Sequence, residues 1–402
     1  MIRESPNGDR LWDVVVVGAG PAGATAATHL ADSGHSVLLL DKHPFPRDKV
    51  CGDALIPDAL KSLRTLGLYD RVRQEGFPVD CITVLSPSGI RVEIPAHCVT
   101  LKRRQLDKLI VDEAVTRGCT FEVALVQRIR QEKDGNISAD VAHFERPIRA
   151  RIAILATGAD ITLLEDLSMV DRRQHNGIAA RCYVKSPVRI DDLVVSFDRA
   201  IAPGYAWIFP MGNNEYNVGC GVFFNGNNAG SINLRAAFAR FASSPIARDL
   251  MDRASFITQL EGARLRAGLA GSSFYNGGGI LSIGETAGTT YPFTGEGIGK
   301  AMETGSLAAS QIRTALRDTS RVPLREFKSR VDEQLKPRYF GYDVAQRWIS
   351  KPWLSDLIAM RVRHSRRLQR LTTGIINETA DPRSVFTWRV LLPHWLRWFG
   401  RD

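Results

Sequence analysis

Two glycine-rich segments of this 402-residue chain carry the residues whose types and spacing could do chemistry. Gly18, Gly20 and Gly23 have the G-x-G-x-x-G spacing, between a β-branched run and a segment of helical composition. Such glycines allow a tight turn, let a pyrophosphate approach backbone N–H groups at a helix start, and let helix and strand pack closely. Asp41 ends the next apolar run, about 20 residues on, where a carboxylate can accept hydrogen bonds from ribose hydroxyls. A glycine turn in an ordinary α/β fold is the alternative. The predicted dinucleotide site also includes Pro21, Ala22 and Lys42.

The second segment, residues 284–305, follows the apolar run 278–283 and predicts a strand that leads into a glycine-lined helix start. Residues 294–297, T-G-E-G, leave N–H groups free at the positive end of a helix, where an electron-rich group can rest. Together the two segments predict one flavin, with its adenylate at the first and its isoalloxazine ring at the second. The further predicted cofactor contacts are Gly158, Gly284, Glu285, Pro292, Gly295, Glu296, Gly297 and Ile298.

Two more segments place reactive side chains beside this cofactor. Cys51 and Gly52, in the loop K-V-C-G-D, pair a thiol with a backbone that can approach a planar ring. We predict that both contact the cofactor; the alternative for Cys51 is a buried structural thiol. Arg103, in R-R-Q-L-D, opens a helix and could place a cation by the cofactor's phosphates or ribityl chain, with Asp107 one turn on as its partner. A solvated helix charge is the alternative.

Residues 204–221 predict a β-hairpin with an aromatic face. Tyr205, Trp207 and Phe209 alternate along the first strand and therefore project from one side of it, with Gly219 and Gly221 on the returning strand. These residues would make an apolar wall for a long apolar substrate. Aromatic filling of a protein core gives the same pattern and stays open as the alternative.

The elements that must position these residues form an α/β fold. Residues 13–17, 24–33 and 36–40 form a β-α-β unit, 106–117 is helical and 151–156 is a strand. We predict a discontinuous flavin-binding Rossmann-like domain, residues 1–80, 99–160 and 275–318. An antiparallel β-rich substrate domain, residues 81–98 and 161–274, is inserted into it, and residues 319–402 form a helical, basic C-terminal region.

The composition bears on the partners of the protein and on its cellular compartment. The net charge of +10 and the pI near 9.5 favour anionic partners but do not say whether these are lipid, nucleic acid, substrate or a protein. The six cysteines have neither a C-x-x-C pair nor a His-linked spacing, so we expect no metal site, no disulfide framework and a reducing cytoplasm. No apolar run approaches the roughly 18 to 20 residues that span a bilayer, so any membrane contact should be peripheral.

The order of these motifs resembles the geranylgeranyl reductase family of FAD enzymes, relatives of aromatic-hydroxylase-type flavoproteins. The resemblance covers most of residues 12–310, and its most distinctive part is Y-x-W-x-F-P at Tyr205. It implies an FAD-binding domain of the glutathione-reductase or hydroxylase type, in an enzyme whose reduced FAD adds hydrogen across isolated double bonds of an isoprenoid lipid or prenylquinone. Such a reduction needs a proton donor, and we predict that Cys51 is that donor. Two departures stand out: Glu285 where relatives have Asp, and Tyr291 where a small polar residue is usual. The second places a phenol near the flavin site, so Tyr291 is added to the predicted substrate contacts.

Two other function classes stay open. One is a flavin-dependent monooxygenase or halogenase, in which the reduced flavin meets O2 first. The other is a non-catalytic module that binds prenyl lipids. Because only a single dinucleotide fingerprint is present, the electrons should come from transiently bound NAD(P)H or from a ferredoxin-type protein, which would be acidic to match this chain. We expect no nucleic-acid partner.

The C-terminal segment 386–399 interleaves aromatic and leucine residues with arginines, and an arginine cluster lies at 361–370. This pattern is typical of a basic, interfacial membrane anchor. A helix that packs against the protein, with its arginines in solvent, accounts for it equally well, because Pro393 interrupts the segment.

Overall fold

The computed structural model describes residues 10–224, 233–292 and 294–391. In its first sheet the β-branched run forms β1 (Leu11–Val17), which lies between β2 (Val37–Asp41) and β9 (Ile148–Leu155) and pairs in parallel with both. Strands buried on both faces read as continuous apolar runs, and β1 and β2 have that composition. The other described strands of this sheet are β6 (Thr120–Val123), β7 (Val126–Gln131), β8 (Ile137–Val141) and β16 (Ile280–Ser282).

Helices cover this sheet. The helix α1 (Pro21–Asp32) follows β1 directly and packs against α4 (Arg103–Thr116) and α8 (Ile298–Arg317). Gly305 of α8 lies against the backbone of Ala22, so the two helices approach closely at a point where a side chain would overlap that backbone. The two helices therefore pack directly against each other near the start of α1.

The start of α8 differs from the sequence expectation in one respect. β16 ends at Ser282 and α8 begins at Ile298, with a 3-10 turn (Gly284–Ala287) and a loop between them. Gly284, Gly288 and Gly295 have φ of 63°, 71° and 71°, a left-handed conformation that interrupts a right-handed helix. Strand and helix are therefore joined by a glycine-rich loop rather than directly.

The second sheet is mostly antiparallel. The hairpin expected at 204–221 is present as β12 (Tyr205–Gly212) and β13 (Glu215–Phe223), with Asn213 and Asn214 at positive φ in the turn. Beside it β11 (Leu193–Ser196) pairs in parallel with β4 (Phe77–Leu85). The further described strands are β3 (Ala54–Leu55), β5 (Arg91–Thr100), β10 (Gly177–Lys185), β14 (Phe256–Ile257) and β15 (Glu261–Leu265).

The remaining described helices are α2 (Pro57–Thr65), α3 (Tyr69–Glu75), α5 (Thr162–Asp166), α6 (Leu234–Ala242), α7 (Arg248–Asp252), α9 (Val322–Ile349), α10 (Pro352–Arg363), α11 (Arg366–Ile376) and α12 (Trp388–Leu391). Of the C-terminal helices, α10 and α11 pack against β5. A short 3-10 turn spans Pro382–Ser384. Within the described ranges, no helix combines the length and the apolar character needed to cross a bilayer. Most of the predicted anchor, from residue 392 on, lies outside these ranges.

The α/β fold class, with a β-rich second sheet and a helical C-terminal region, is thus confirmed. Residues 77–100 and 177–265 supply the strands of the second sheet, apart from the short β3. The domain boundaries stay a prediction.

Candidate active site

A cavity of about 890 Å³ brings together most of the residues singled out in the sequence. Near the start of α1 its lining includes Gly18, Gly20, Pro21, Ala22, Asp41 and Lys42. Around the K-V-C-G-D loop and the strand ends it includes Cys51, Gly52, Arg103, Gly158 and Glu285. At the start of α8 it includes Gly295, Glu296, Gly297 and Ile298. The aromatic hairpin adds Tyr205, Trp207, Phe209 and Gly221.

The first glycine segment has the shape that a pyrophosphate requires. Gly18 has φ of 101°, and a side chain there would overlap the carbonyl of Ala156. A side chain at Gly23 would overlap the backbone of Gly18, so this glycine packs helix against strand. At Gly20 a Cβ would meet nothing nearer than Arg47 Nη2 at 3.8 Å, which leaves the N-cap of α1 open toward the cavity. A phosphate can therefore reach the unpaired N–H groups of α1.

Three ion pairs lie beside that approach. Arg103 donates from Nε and Nη2 to both oxygens of Asp107, each at 2.7 Å, so the pairing expected from their spacing is present. Arg47, which the sequence analysis did not single out, lies 3.2 Å from Asp107 Oδ2 and 3.7 Å from Asp41 Oδ2. Asp41 accepts hydrogen bonds from the N–H groups of Ala19 and His43, which fix its carboxylate at the end of β2.

The loop before α8 is shaped by contacts with the aromatic hairpin. Tyr205 donates its hydroxyl proton to the carbonyl of Thr294, and a Cβ at Gly295 would lie 2.7 Å from that hydroxyl. Gly297 caps α8 with no side-chain hydrogen bond, so the first N–H groups of the helix have no side-chain acceptor from the cap. On the opposite side Glu285 Oε1 accepts from the N–H of Arg266 at 3.4 Å, and Oε2 lies 3.8 Å from Lys49 Nζ.

The aromatic residues form the continuous wall that their alternation predicts. The ring centroids of Tyr205 and Trp207 are 6.0 Å apart, and those of Trp207 and Phe209 are 6.1 Å apart with the two rings nearly parallel. A Cβ at Gly52 would lie 3.3 Å from Phe209 and 3.7 Å from Trp207. The backbone of the K-V-C-G-D loop therefore lies against this wall.

A buried carboxylate joins that loop to the wall. Asp53 Oδ2 accepts from Tyr183 OH at 2.6 Å and from Asn217 Nδ2 at 2.8 Å. Asn217 Oδ1 in turn accepts from Trp207 Nε1 at 2.9 Å. Burial raises the pKa of Asp53, and these donors act in the opposite direction. Asp53 stood in the motif without an assigned role, and Tyr183 gave no signal in its strand, because a hydroxyl contact across two segments leaves no local pattern.

Cys51 lies in the cavity between two charged groups. Burial raises the pKa of its thiol, the negative charge of Asp53 raises it further, and Arg103 lowers it. The thiol is therefore held protonated at neutral pH. Its role as proton donor stays a prediction.

Five of the predicted site residues do not line this cavity. Gly23 and Gly284 pack α1 closely, and Gly219 makes room for the Trp207 indole. Pro292 is buried in the loop before α8.

Tyr291, the fifth of these residues, corrects the expectation of a phenol that faces the substrate. It is fully buried, donates to Glu378 Oε1 at 2.8 Å and stacks on Tyr342 at 4.0 Å. Its partners come from α9 and from the segment after α11, whose positions the local sequence does not reveal.

Part of the cavity is apolar and lies between the second sheet and the C-terminal helices. The sheet contributes Ile82, Val84, Val92, Ile94, Leu193 and Val195. The helices contribute Ile349, Ile358, Ala359, Val362, Ile375 and Ile376. The cavity therefore joins a polar end that fits a nucleotide to a compartment that fits a hydrocarbon chain.

Comparison with known proteins establishes the class. A family model described as an FAD binding domain matches residues 12–324, so the chain belongs to that family. A menaquinone reductase of Mycolicibacterium smegmatis is 32% identical over 321 residues, covering 74% of this chain and 75% of the relative. A digeranylgeranylglycerophospholipid reductase of Methanopyrus kandleri is 27% identical, covering 82% of this chain and 88% of the relative.

Solved structures agree on the fold. A geranylgeranyl bacteriochlorophyll reductase-like protein from Thermoplasma acidophilum superposes with a TM-score of 0.75 at 19% identity, covering 94% of this chain and all of the other. A flavin-dependent brominase gives a TM-score of 0.76 at 19% identity, covering 94% and 97%. The resemblance to geranylgeranyl reductases is confirmed, and the protein is an FAD-dependent oxidoreductase. The open approach at Gly20 and the uncapped start of α8 fit the two ends of FAD.

Proposed function

We propose that this protein is a reductase that saturates isolated C=C bonds in the isoprenoid chain of a lipid or prenylquinone. The observation that carries the proposal is the apolar compartment between the second sheet and α10 and α11, which opens into the same cavity as the predicted flavin contacts. A long hydrocarbon chain gains free energy from leaving water for such a compartment, at about 0.8 kcal/mol for each buried CH₂ group. The reductase names of the two relatives support the same substrate class.

An isolated alkene offers no carbonyl to polarise, so the protein must act by positioning, by exclusion of water and by supplying a proton. When bound and reduced, FAD supplies hydride. The wall of Tyr205, Trp207 and Phe209 holds an apolar chain across the cavity, and the Asp53–Asn217 network fixes the indole of Trp207. Cys51, which is the proton donor predicted from the sequence, borders the same space.

The electron donor is proposed from the charge and from the single dinucleotide fingerprint. NAD(P)H would bind transiently, or an acidic ferredoxin-type protein would dock on the basic surface of this chain, whose net charge is +10. Measuring the anaerobic reduction of bound FAD by NADPH, by NADH and by reduced ferredoxin would separate these donors.

We also propose a peripheral contact with an anionic membrane through α10. One side of this helix lines the apolar compartment with Ile358 and Val362. The other carries Trp353 and Met360, which are 58% and 45% exposed and lie seven residues apart, hence on one face. Exposed basic residues accompany them at Lys351, Arg363, Arg366, Arg367 and Arg370. A lipid substrate could thus pass from a bilayer to the cavity across a single helix.

The reductase proposal is tested anaerobically. The purified holoprotein is reduced with dithionite and mixed with a geranylgeranyl lipid or a prenylquinone, while flavin absorbance and product mass are followed. Reoxidation with a gain of two hydrogens per reduced bond supports the reductase. Reoxidation only on admission of air identifies an oxygen-using enzyme instead, and a colourless protein that binds prenyl lipid identifies a binding module.

A further inference from the structure

A buried carboxyl group lies at the start of α8 on the wall of the cavity. Asp58, the second residue of α2, has a side chain that is only 4% exposed. Its Oδ1 accepts from the N–H of Ala59 at 2.6 Å, whereas Oδ2 is buried with no hydrogen-bond partner among the described residues. The carboxyl group fills the space left by Gly299, where a side chain would overlap both of its oxygens or displace it. An unpaired buried carboxylate oxygen is costly, whereas a protonated carboxyl group can donate to a ligand.

A second carboxyl group lies nearby, next to the aromatic wall. Glu296 lines the cavity two residues after Thr294, whose carbonyl accepts from Tyr205. Its Oε2 is also buried without a partner within the described part of the chain. The charge of Asp58 raises the pKa of Glu296 in addition to the larger effect of burial, so the two groups are close enough to influence each other.

The charges around this pair are arranged to hold a proton on it. Lys300 Nζ lies 3.6 Å from Asp58 Oδ2, but it is bound more closely by Glu303 at 2.7 Å and Glu378 at 2.6 Å. Arg338 bridges the same two glutamates. The two cations therefore face four carboxyl groups. The uncharged titratable groups that also interact with the pair are Cys98, Tyr205, Tyr339 and Tyr342.

This arrangement brings the pKa of Asp58 closer to neutrality. Burial raises its pKa to about 6, with Glu378 and Glu303 raising it and Lys300 lowering it. A donor works best when its pKa lies near the operating pH. The Cys51 thiol, with its pKa raised above an already high value, is the weaker acid, and its thiolate would form beside Asp53.

We propose that Asp58, with Glu296 beside it, is the acid that delivers the proton to the isoprenoid alkene. This inference rests on the proposed reductase function. The O–H bond of Asp58 breaks as a C–H bond forms at one alkene carbon, and hydride from reduced FAD forms the C–H bond at the other. The alkene gains two electrons and FAD loses two. The resulting carboxylate is stabilised by Lys300 and by the N–H of Ala59, and water restores its proton.

The test compares Asp58→Asn, Asp58→Glu, Glu296→Gln and Cys51→Ala with the wild type, each with its FAD content verified. Asp13→Asn is the control for the loss of a carboxylate. Asp13 lies on β1, is partly buried and accepts a hydrogen bond from the Ser36 hydroxyl. The dithionite-reduced enzyme is mixed anaerobically with prenyl substrate between about pH 5 and about pH 8, a range that brackets the expected pKa. Separately, difference infrared spectra of the substrate-free protein record the carbonyl band of protonated carboxyl groups over the same range.

In the wild type we expect reoxidation to slow as pH rises above about 6. Asp58→Asn should lower the rate by about 10²- to 10⁴-fold and remove that pH dependence, while Asp58→Glu keeps the pH dependence. A carbonyl band that titrates in the wild type and is missing in Asp58→Asn would show the stored proton directly. Unchanged rate and pH dependence in Asp58→Asn, or loss of the pH dependence in Cys51→Ala, would overturn the assignment of Asp58 but not the reductase function. A wild type that no prenyl lipid reoxidises would refute the proposed function itself.

Discussion

Gly219 lies directly opposite Trp207 in the β12–β13 hairpin, and the indole occupies the space that a side chain at Gly219 would need. A Cβ at that position would overlap the indole and would lie 2.6 Å from the carbonyl oxygen of Ala180. The indole Nε1 of Trp207 also donates to Asn217 Oδ1 at 2.9 Å. The glycine therefore positions the central ring of the aromatic wall.

Gly219→Ala should consequently destabilise the protein and displace the indole. Overpacking of a filled interior costs about 1–3 kcal/mol, because neither the indole nor the strand backbone can yield freely. Urea unfolding measures the loss, and tryptophan fluorescence reports the movement. Gly221→Ala is the matched control, since a Cβ there would meet its nearest atom at 3.4 Å, an ordinary contact. Equal stability of the two variants would contradict this role.

The glycines at the start of α1 should separate folding from cofactor binding. Gly18→Ala combines φ of 101° with overlap of the Ala156 carbonyl, so we expect lower stability of the apoprotein as well as loss of FAD. Gly20→Ala has room in the protein and should affect FAD alone, by at least about tenfold in affinity, or about 1.4 kcal/mol. Flavin absorbance after purification and the melting temperature of the apoprotein measure the two effects. If Gly20→Ala binds FAD as the wild type does, the phosphate does not approach here.

The sequence predicts what depends on local pattern. The glycine spacing at Gly18 and the alternation of Tyr205 and Trp207 each specify a turn or a face within one segment, and the structure has both. The partner of Arg103 could also be predicted, because residues four apart meet on a helix.

What the sequence could not show are contacts between distant segments. The Tyr183 hydroxyl reaches Asp53 across 130 positions, and Tyr291 turns toward Glu378 because α9 and the segment after α11 pack there. Asp58 likewise has no local signature, because its burial depends on the approach of α8. Spacing rules apply within an element, whereas these contacts depend on how the elements pack.

Asp58 should make stability depend on pH in a defined direction. Its folded-state pKa of about 6 lies above its ordinary value of 3.8, so the folded protein binds this proton more tightly than the unfolded chain. The stability that the folded protein gains from binding this proton is complete below the ordinary pKa of 3.8 and is lost as pH rises through about 6. The free energy of unfolding of Asp58→Asn minus that of the wild type should therefore increase between about pH 4 and about pH 6, then level off.

Chemical denaturation at several pH values measures that difference, which cancels the titration of the other carboxylates. Asp13→Asn is the control with the opposite sign, because burial raises the pKa of Asp13 but its hydrogen bonds from Ser36 and Arg151 and the charge of His35 together lower it by more. A difference for Asp58→Asn that stays constant with pH would mean that Asp58 is ionised throughout.

The outer face of α10 should bind anionic bilayers. Changing both Trp353→Ser and Met360→Ser removes two large apolar side chains, each worth about 1.5 kcal/mol or more when buried, so vesicle affinity should fall about 100-fold or more. Sedimentation with vesicles of anionic phospholipid measures this affinity, and high salt should weaken vesicle binding by the wild type because the neighbouring arginines are exposed.

Phe256→Ser, at a residue 61% exposed on β14, is the control. Turnover of a short, detergent-dispersed prenyl substrate should be unchanged in the double variant. If that variant and the control bind vesicles equally, the membrane contact lies elsewhere on the chain.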